Sequence, residues 1–209
     1  MDIYFIDLEN IINTVGKARL RREYGNFHHH YSRMLLRYLL LKIYNINSPV
    51  LDENKRPYIE NNEIIFSISH SENLLAIMFD KKRAGIDIEY IRERNYKGVL
   101  NYYGLNIQDD ISQDEFFQMW TVYEAEYKSK LNTTPLTFKY RNYMCSLSCE
   151  SNTPLKIYEV TIPTNKIINN ELMDLIVVNN NSKNENAVVI QGISIPSSDF
   201  LSPSDIKIK

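Results

Sequence analysis

The sequence predicts an α+β fold made of two similar halves. The chain has 209 residues, of which 44% are hydrophobic and 24% charged, so it can bury a substantial core. Apolar residues recur at helical spacing in residues 31–44 and again in residues 114–130. Each helix has β-rich runs around it, which gives the order strand, helix, strands, then helix and strands again. We therefore predict an N-terminal half of residues 1–82 and a C-terminal half of residues 83–209.

The first half is predicted to contain a strand, a helix and a hairpin-like run of strands. Ile3 to Leu8 indicates the first strand, and a polar turn and a basic segment follow it. Tyr31 to Tyr44 is the helix, and the prolines of Asn45 to Pro57 mark a connection. Three β-rich runs then predict an antiparallel meander that crosses the boundary between the halves: Ile64 to Ser69, Leu74 to Phe79 and Gly85 to Ile91.

The second half is predicted to begin with helices and to end with strands. Tyr96 to Tyr103 and Asp114 to Lys130 have helical patterns, and Asp114 is a suitable first residue for the longer helix. The residues after Pro196 are expected to form a loosely attached tail. Strands are predicted at Tyr143 to Cys149, Leu155 to Ile162, Leu172 to Val178 and Ala187 to Ile195.

Charge and hydrophobicity argue against several classes of function. The formal net charge is -2, which gives no global basic field for nucleic acid or a membrane surface. No apolar stretch reaches membrane-spanning length. The first fifteen residues lack a basic segment and a continuous apolar run, so we expect no secretory targeting. Cys145 and Cys149 are predicted to be reduced thiols, because their spacing on a strand does not favour a disulfide. We therefore expect a cytoplasmic protein.

Two carboxylates alternate with isoleucines in Ile86-Asp87-Ile88-Glu89. On a strand, Asp87 and Glu89 would point to one face and both isoleucines to the other. Magnesium prefers such hard oxygen ligands and completes its octahedron with water and substrate phosphate. The plainer alternative is a solvated face of a sheet, which is what this alternation usually means when it occurs alone.

A second motif places a third carboxylate beside a cation. Trp120, Glu124 and Lys128 recur every four residues, so a helix would align them along one stripe. Together with the two β-strand carboxylates and His70, they could contact one magnesium-bound pyrophosphate. The alternative is a surface ion pair between Glu124 and Lys128, worth a few tenths of a kcal/mol.

Histidine and cysteine elsewhere give weak metal signals. The run His28-His29-His30 would point its side chains in different directions from a loop, and it has no carboxylate nearby in sequence. Cys145 and Cys149 lack a second cysteine or histidine pair of the kind that binds zinc. His70 has a structural alternative of its own, since it could cap a turn.

The order and spacing of these motifs resemble those of the Sfp-type 4′-phosphopantetheinyl transferases. That family has an S-H-S element, an apolar strand and G-I-D-I-E, and here Ser69-His70-Ser71 precedes Gly85-Ile86-Asp87-Ile88-Glu89. Its downstream W-T and K-E-A pattern is similar to Trp120 to Ala125, with Lys128 four residues after the glutamate. Weaker similarity includes Arg33 and Lys55-Arg56-Pro57, and the resemblance extends over roughly residues 30 to 130.

The resemblance implies a fold, a reaction and a set of site residues. The fold would have two α+β halves in a pseudo-twofold arrangement, with coenzyme A in the cleft between them. The metal would be Mg²⁺, and the acceptor would be a serine of an apo acyl or peptidyl carrier protein. Since one chain supplies both halves, we expect a monomer. The implied roles are metal binding by Asp87, Glu89 and Glu124, catalysis by Glu124 as base and Lys128 as phosphate-stabilising cation, and coenzyme A binding by Arg33, Arg56, Ser69 and His70.

The chain departs from the family pattern at two places in the second motif. Tyr123 stands where the family has a lysine, and no glycine follows soon after Lys128. These departures motivate a second hypothesis, a coenzyme A-binding or carrier-binding protein with weakened chemistry. A third hypothesis is a different magnesium-dependent nucleotide transferase.

Overall fold

The structure is a computed structural model of the chain. It describes residues 1–53, 56–60, 64–103, 111–150, 154–162, 177–179 and 188–201, apart from some side chains within these ranges, that of Arg56 among them. Within this part of the chain, no helix is both long and apolar enough to cross a membrane. The helices are α1 Glu9–Val15, α2 Lys17–Tyr24, α3 Phe27–Ile43, α4 Tyr96–Tyr102 and α5 Gln113–Ser129. The strands are β1 Asp2–Asp7, β2 Leu51–Glu53, β3 Arg56–Tyr58, β4 Ile65–Ser71, β5 Leu74–Asp80, β6 Ala84–Tyr90, β7 Leu136–Tyr140, β8 Tyr143–Cys149, β9 Lys156–Thr161, β10 Val177–Asn179, β11 Val188–Ile193 and β12 Phe200–Leu201.

Two mixed or antiparallel sheets carry most of the described strands. The first has the order β10-β11-β9-β1-β5-β4, and the second has the order β12-β7-β8-β6, while β2 and β3 form a separate hairpin. β4 and β5 are antiparallel neighbours, and β9 runs parallel to β1. β4 is thus an edge strand of the first sheet and β6 an edge strand of the second.

The central strands of the first sheet, β1 and β5, are buried on both faces. Successive side chains of a strand point to opposite faces. On β1, Ile3 and Phe5 point to one face and belong to the hydrophobic cluster that the two sheets share. Tyr4 and Ile6 point the other way and pack with α1 to α3. A third cluster joins the beginning of α5 to the outer face of the second sheet. The candidate site residues of β6 and α5 therefore lie at the edge and outer face of the second sheet.

The α+β class is confirmed, whereas the predicted meander is wrong in its third strand. β6 does not pair with β5; it pairs with β8 along its whole length, with Asp87 opposite Ser146. The similarity of the halves and the boundary after residue 82 stay predictions. β9, which comes after that boundary, lies beside β1.

Several predicted elements are confirmed with shifted ends. The predicted polar turn is instead the helix α1, and the basic segment folds as α2. α3 begins at Phe27, where the Asn26 side chain accepts a hydrogen bond from the His29 backbone. α5 begins one residue before Asp114, because Ser112 and Glu115 form a capping box. β7 was not predicted. After Pro196, Phe200–Leu201 pairs with β7, and most of the predicted strand at 172–178 lies outside the described residues.

Candidate active site

β6 presents its two carboxylates toward α5 and β4. Its isoleucines, Ile86 and Ile88, are buried between the two sheets, so Asp87 and Glu89 occupy the opposite face, as the alternation predicts. Asp87 is 5% exposed, which makes it one of the few buried charged residues in the described structure. Burial of a carboxylate is costly without partners, so its contacts decide what this position can do.

Asp87 is held through one oxygen only. The Lys128 ammonium and the Ser69 hydroxyl donate to Oδ1 at 2.7 Å and 2.8 Å. Oδ2 is buried and has no hydrogen-bond partner in the described structure. Desolvation raises the pKa of Asp87, and this outweighs the opposing effects of Lys128 and Ser69. The free oxygen and the raised pKa both indicate a group that lacks some of its positive counter-charge.

Glu89 is held through both oxygens. The Ser71 hydroxyl donates to Oε2 at 3.0 Å, and the Trp120 indole N–H donates to Oε1 at 3.3 Å. Desolvation raises the pKa of Glu89, and the negative charge of Asp87 raises it further. The two carboxylates therefore destabilise each other's charged form.

Gly85 allows the second motif to reach the first. A Cβ at this position would lie 2.2 Å from the carbonyl oxygen of Ala125 and 2.7 Å from the backbone nitrogen of Ser129. Only a residue without a side chain permits this approach of β6 to α5. The approach lets Lys128 Nζ contact both Asp87 and the carbonyl oxygen of Ile86, the latter at 3.1 Å.

Buried hydroxyl pairs fix α5 on β8. Thr121 Oγ1 lies 2.7 Å from Ser146 Oγ, and Ser129 Oγ lies 2.9 Å from Ser148 Oγ. On α5, Thr121 precedes Glu124 and Ser129 follows Lys128. The two hydroxyl pairs therefore fix the helix on both sides of the two functional side chains. Serine and threonine side chains are short, which suits the close approach of β6 to α5 that Gly85 permits.

A cleft of about 920 Å³ opens beside this cluster. Glu124 and Lys128 line it, together with residues from the β2–β3 hairpin, β4 and the beginning of β6. Arg83 and Lys130 add two further cations, and Tyr58 and Tyr127 add aromatic surface. A cleft with cations and aromatic rings suits a ligand that has both phosphates and a flat apolar group.

His70 lies on the other side of β4 from Ser69 and Ser71. Its ring stacks on that of His28 in α3, with centroids 4.7 Å apart and planes 8° from parallel. Part of the His70 ring is exposed, yet desolvation lowers its pKa, and the positive charges of His28 and Lys128 lower it further. His28 is fixed by the carbonyl oxygen of Glu72, 2.6 Å from Nε2. The predicted loop at His28 is therefore wrong: the histidine lies in a helix and supports His70.

Of the two predicted arginines, only Arg33 has a side chain that the structure describes. Arg33 on α3 forms an ion pair with Asp52 on β2, and its Nη1 is buried without a hydrogen-bond partner in the described structure. Arg33 therefore contacts the hairpin that borders the cleft and not the carboxylates of β6. The side chain of Arg56 lies outside the described residues, although its backbone forms the start of β3.

The three predicted metal ligands do not form a preassembled cluster. Among the residues that the structure describes, no group of three histidine, cysteine or acidic side chains is arranged to hold a metal ion. Asp87 and Glu89 nevertheless fit a hard cation, because Asp87 Oδ2 has no hydrogen-bond partner in the part of the chain that the structure describes, and the two charges repel each other. Glu124 lines the neighbouring cleft. Its convergence with the other two stays a prediction.

The raised pKa values predict how stability depends on pH in metal-free protein. A carboxyl group whose folded pKa lies above its unfolded value stabilises the fold at low pH, and this contribution is lost as pH rises through the folded pKa. Wild-type protein in EDTA should therefore lose thermal stability relative to Asp87→Asn as pH rises from about 4, near the ordinary value for aspartate. Circular dichroism melts of both proteins across this range measure the difference.

Glu115 provides a control of opposite sign. Hydrogen bonds from Ser112 lower the pKa of this exposed capping residue. Its stabilising contribution is present above the unfolded pKa and is lost as pH falls through the folded one. The melting temperature of wild type relative to Glu115→Gln should therefore rise with pH. Equal slopes for the two variants would contradict the assignment of the Asp87 shift to burial.

One curated relative has a sequence similar to part of this chain. The chain is 32% identical over 113 residues to "Putative 4'-phosphopantetheinyl transferase" from Haemophilus influenzae. The predicted resemblance to 4′-phosphopantetheinyl transferases is confirmed. The match covers 46% of this chain and 48% of that relative, so the chain spans about half the length of the phosphopantetheinyl transferase relative that it matches. No family model matches the chain.

Sequence reasoning missed three contributions to the site. The motif around Gly85 predicts a strand, but it does not predict that this glycine allows α5 to approach β6. The four-residue repeat contains Trp120 and the S-H-S element contains Ser71, but neither pattern predicts that they donate to Glu89. The serines at alternate positions of β4 were a signal for shared orientation, although nothing in the sequence identified β6 as their partner.

Proposed function

We propose that this chain is a magnesium-dependent transferase that moves the 4′-phosphopantetheine arm of coenzyme A to a serine of an apo acyl or peptidyl carrier protein. The observation that carries the proposal is the contact of Lys128 Nζ with Asp87 Oδ1 at 2.7 Å, at the wall of a cleft that Glu124 also lines. This contact joins the two motifs of the resemblance in space. We further propose that the chain acts as a monomer in the cytoplasm.

Asp87, Glu89 and Glu124 are the residues that would hold Mg²⁺. Their oxygens match its preference for hard ligands, and coenzyme A phosphates and water would complete the coordination. When bound, the ion would neutralise negative charge on the pyrophosphate. The free Oδ2 of Asp87 and the repulsion between Asp87 and Glu89 support this assignment.

The chain's own groups account for the transfer of the proton and the charge. The serine oxygen of the carrier attacks the β-phosphorus, a new phosphorus–oxygen bond forms, and the bond to 3′,5′-ADP breaks. The leaving group takes the bonding electron pair. Glu124, directly or through a water, accepts the serine proton. Lys128 donates to phosphate oxygens on which negative charge increases, and alignment of the two substrates supplies much of the acceleration.

Coenzyme A would bind along the cleft and its β4 border. Ser69 and His70 are the proposed contacts to its phosphates, and Arg33 and Arg56 the proposed contacts to its 3′-phosphate and adenine side. Guanidinium groups suit this role because they present forked donors to phosphate. Among the described residues, the buried Nη1 of Arg33 has no hydrogen-bond partner, which supports a further acceptor at that residue.

A mass measurement tests the proposal directly. Purified protein, Mg²⁺, coenzyme A and several apo carrier proteins are mixed, and intact mass spectrometry is used to detect addition of phosphopantetheine to the carrier. We expect modification of at least one carrier by wild type and none by Asp87→Ala. Normal binding of coenzyme A with no modified carrier would count against an active enzyme.

A second candidate function is binding of coenzyme A or a carrier protein without efficient chemistry. Tyr123 motivates this candidate, because it stands where the family has a lysine. The Tyr123 and Trp120 rings are stacked, with centroids 6.0 Å apart and planes at 26°. Calorimetry with coenzyme A, with and without Mg²⁺, separates the candidates when it is combined with the carrier assay. Preferential binding of a nucleoside triphosphate would instead favour a different nucleotide transferase.

A further inference from the structure

The two sheets meet along a row of serine side chains. β4 and β6 are edge strands of different sheets, and no backbone ladder joins them. Instead, three serines of β4 accept hydrogen bonds from backbone N–H groups of β6. The donors are Ile86 to Ser67 at 3.1 Å, Ile88 to Ser69 at 3.2 Å and Tyr90 to Ser71 at 3.0 Å.

Two of these serines make a second hydrogen bond, as donors to a carboxylate. Ser69 and Ser71 also donate their hydroxyl protons to Asp87 and Glu89. Ser67 stands at the corresponding position beside Gly85, which has no side chain to accept a proton. The three serines thus share one structural role, and only two of them contact a carboxylate.

The second bond restricts where Glu89 can point. A hydroxyl has one proton and two lone pairs, so the N–H of Tyr90 orients Ser71 while its proton goes to Glu89 Oε2. Trp120 holds the other oxygen. A free glutamate side chain has several rotamers, and fixing it before a ligand binds removes that entropic cost from binding.

We propose that Ser71 is a positioning residue that holds Glu89 in place for a divalent cation. The inference rests on the proposed metal site. Groups that orient metal ligands in this way typically change metal affinity by about 10- to 100-fold when they are mutated. Ser69 has the same relation to Asp87, but it is also a proposed coenzyme A contact, so Ser71 gives the cleaner test.

The role of Ser71 is tested by titrating the full chain with Mn²⁺ in the absence of coenzyme A and measuring the bound ion by electron paramagnetic resonance. We expect Ser71→Ala to weaken Mn²⁺ binding by about 10-fold or more. Ser67→Ala is the matched control, because it removes the same kind of N–H acceptor without touching a carboxylate. It should leave the affinity unchanged, while both variants lower the melting temperature. Ser71→Thr, which keeps the hydroxyl, should restore binding.

Three outcomes would overturn the inference. These are equal weakening by Ser67→Ala and Ser71→Ala, unchanged binding in Ser71→Ala, and no Mn²⁺ binding by wild type. The carrier assay on wild type separates this result from the proposed function. Transfer without the Ser71 effect removes only the positioning role, whereas the Ser71 effect without transfer counts against the transferase and leaves the positioning role intact.

Discussion

Gly85→Ala is expected to lower the free energy of unfolding by about 3 kcal/mol, at the upper end of the usual cost of overpacking. The added methyl would meet backbone atoms of Ala125 and Ser129, and backbone cannot move aside as a flexible side chain can. For a chain of 209 residues, this corresponds to a fall of about 6 to 12 °C in melting temperature. Thermal and urea unfolding both measure it.

Gly192→Ala is the matched control for this substitution. Gly192 also lies in a strand, β11, but a Cβ there would meet nothing within 4 Å. The control should therefore leave stability nearly unchanged or raise it slightly. Equal melting temperatures for the two variants would show that the approach of β6 to α5 is not as close as described. Gly85→Ala should also impair any carrier modification, because it moves Lys128 away from Asp87.

Glu124→Gln is expected to lower the rate of carrier modification by on the order of 100-fold or more, since a positioned general base contributes about 10²- to 10⁴-fold. Glutamine has nearly the same shape as glutamate, so the change removes the proton acceptor and one negative charge with little repacking. Initial rates from intact-mass spectra at saturating coenzyme A and Mg²⁺ measure the effect, and calorimetry shows whether coenzyme A still binds.

Glu126→Gln on the same helix controls for loss of a charge from α5. Glu126 is half-buried, and it is not among the residues that line the cleft. Its substitution should leave the rate unchanged. If Glu124→Gln modified the carrier at the wild-type rate, the proposed role of this carboxylate would be wrong, although the protein would still be a transferase.

The local elements of the site could be predicted because each depends on a short periodic pattern. Alternation in Ile86 to Glu89 predicts a strand with both carboxylates on one face, and the isoleucines are indeed buried on the other. The four-residue repeat from Trp120 to Lys128 predicts one stripe of a helix, and α5 contains it. In both cases, neighbouring residues along the chain determine the geometry.

The pairing of β6 could not be predicted in this way. A strand with the pattern of Ala84–Tyr90 suits either a hairpin with β5 or an edge beside β8, and the short connection after Asp80 favoured the hairpin. The structure has the second arrangement because the isoleucine face is buried between two sheets. Which surface covers a strand depends on segments far away in sequence.

The sequence by itself determined the α+β class, the strand and helix that carry the candidate site, and which of their side chains share a face. Tertiary structure decided which of these faces meet: Lys128 with Asp87, Ser71 and Trp120 with Glu89, and Arg33 with Asp52. The physical reason is that backbone periodicity is a local property. Contacts across the site depend on how closely distant backbones can pack, which here depends on the missing side chain of Gly85.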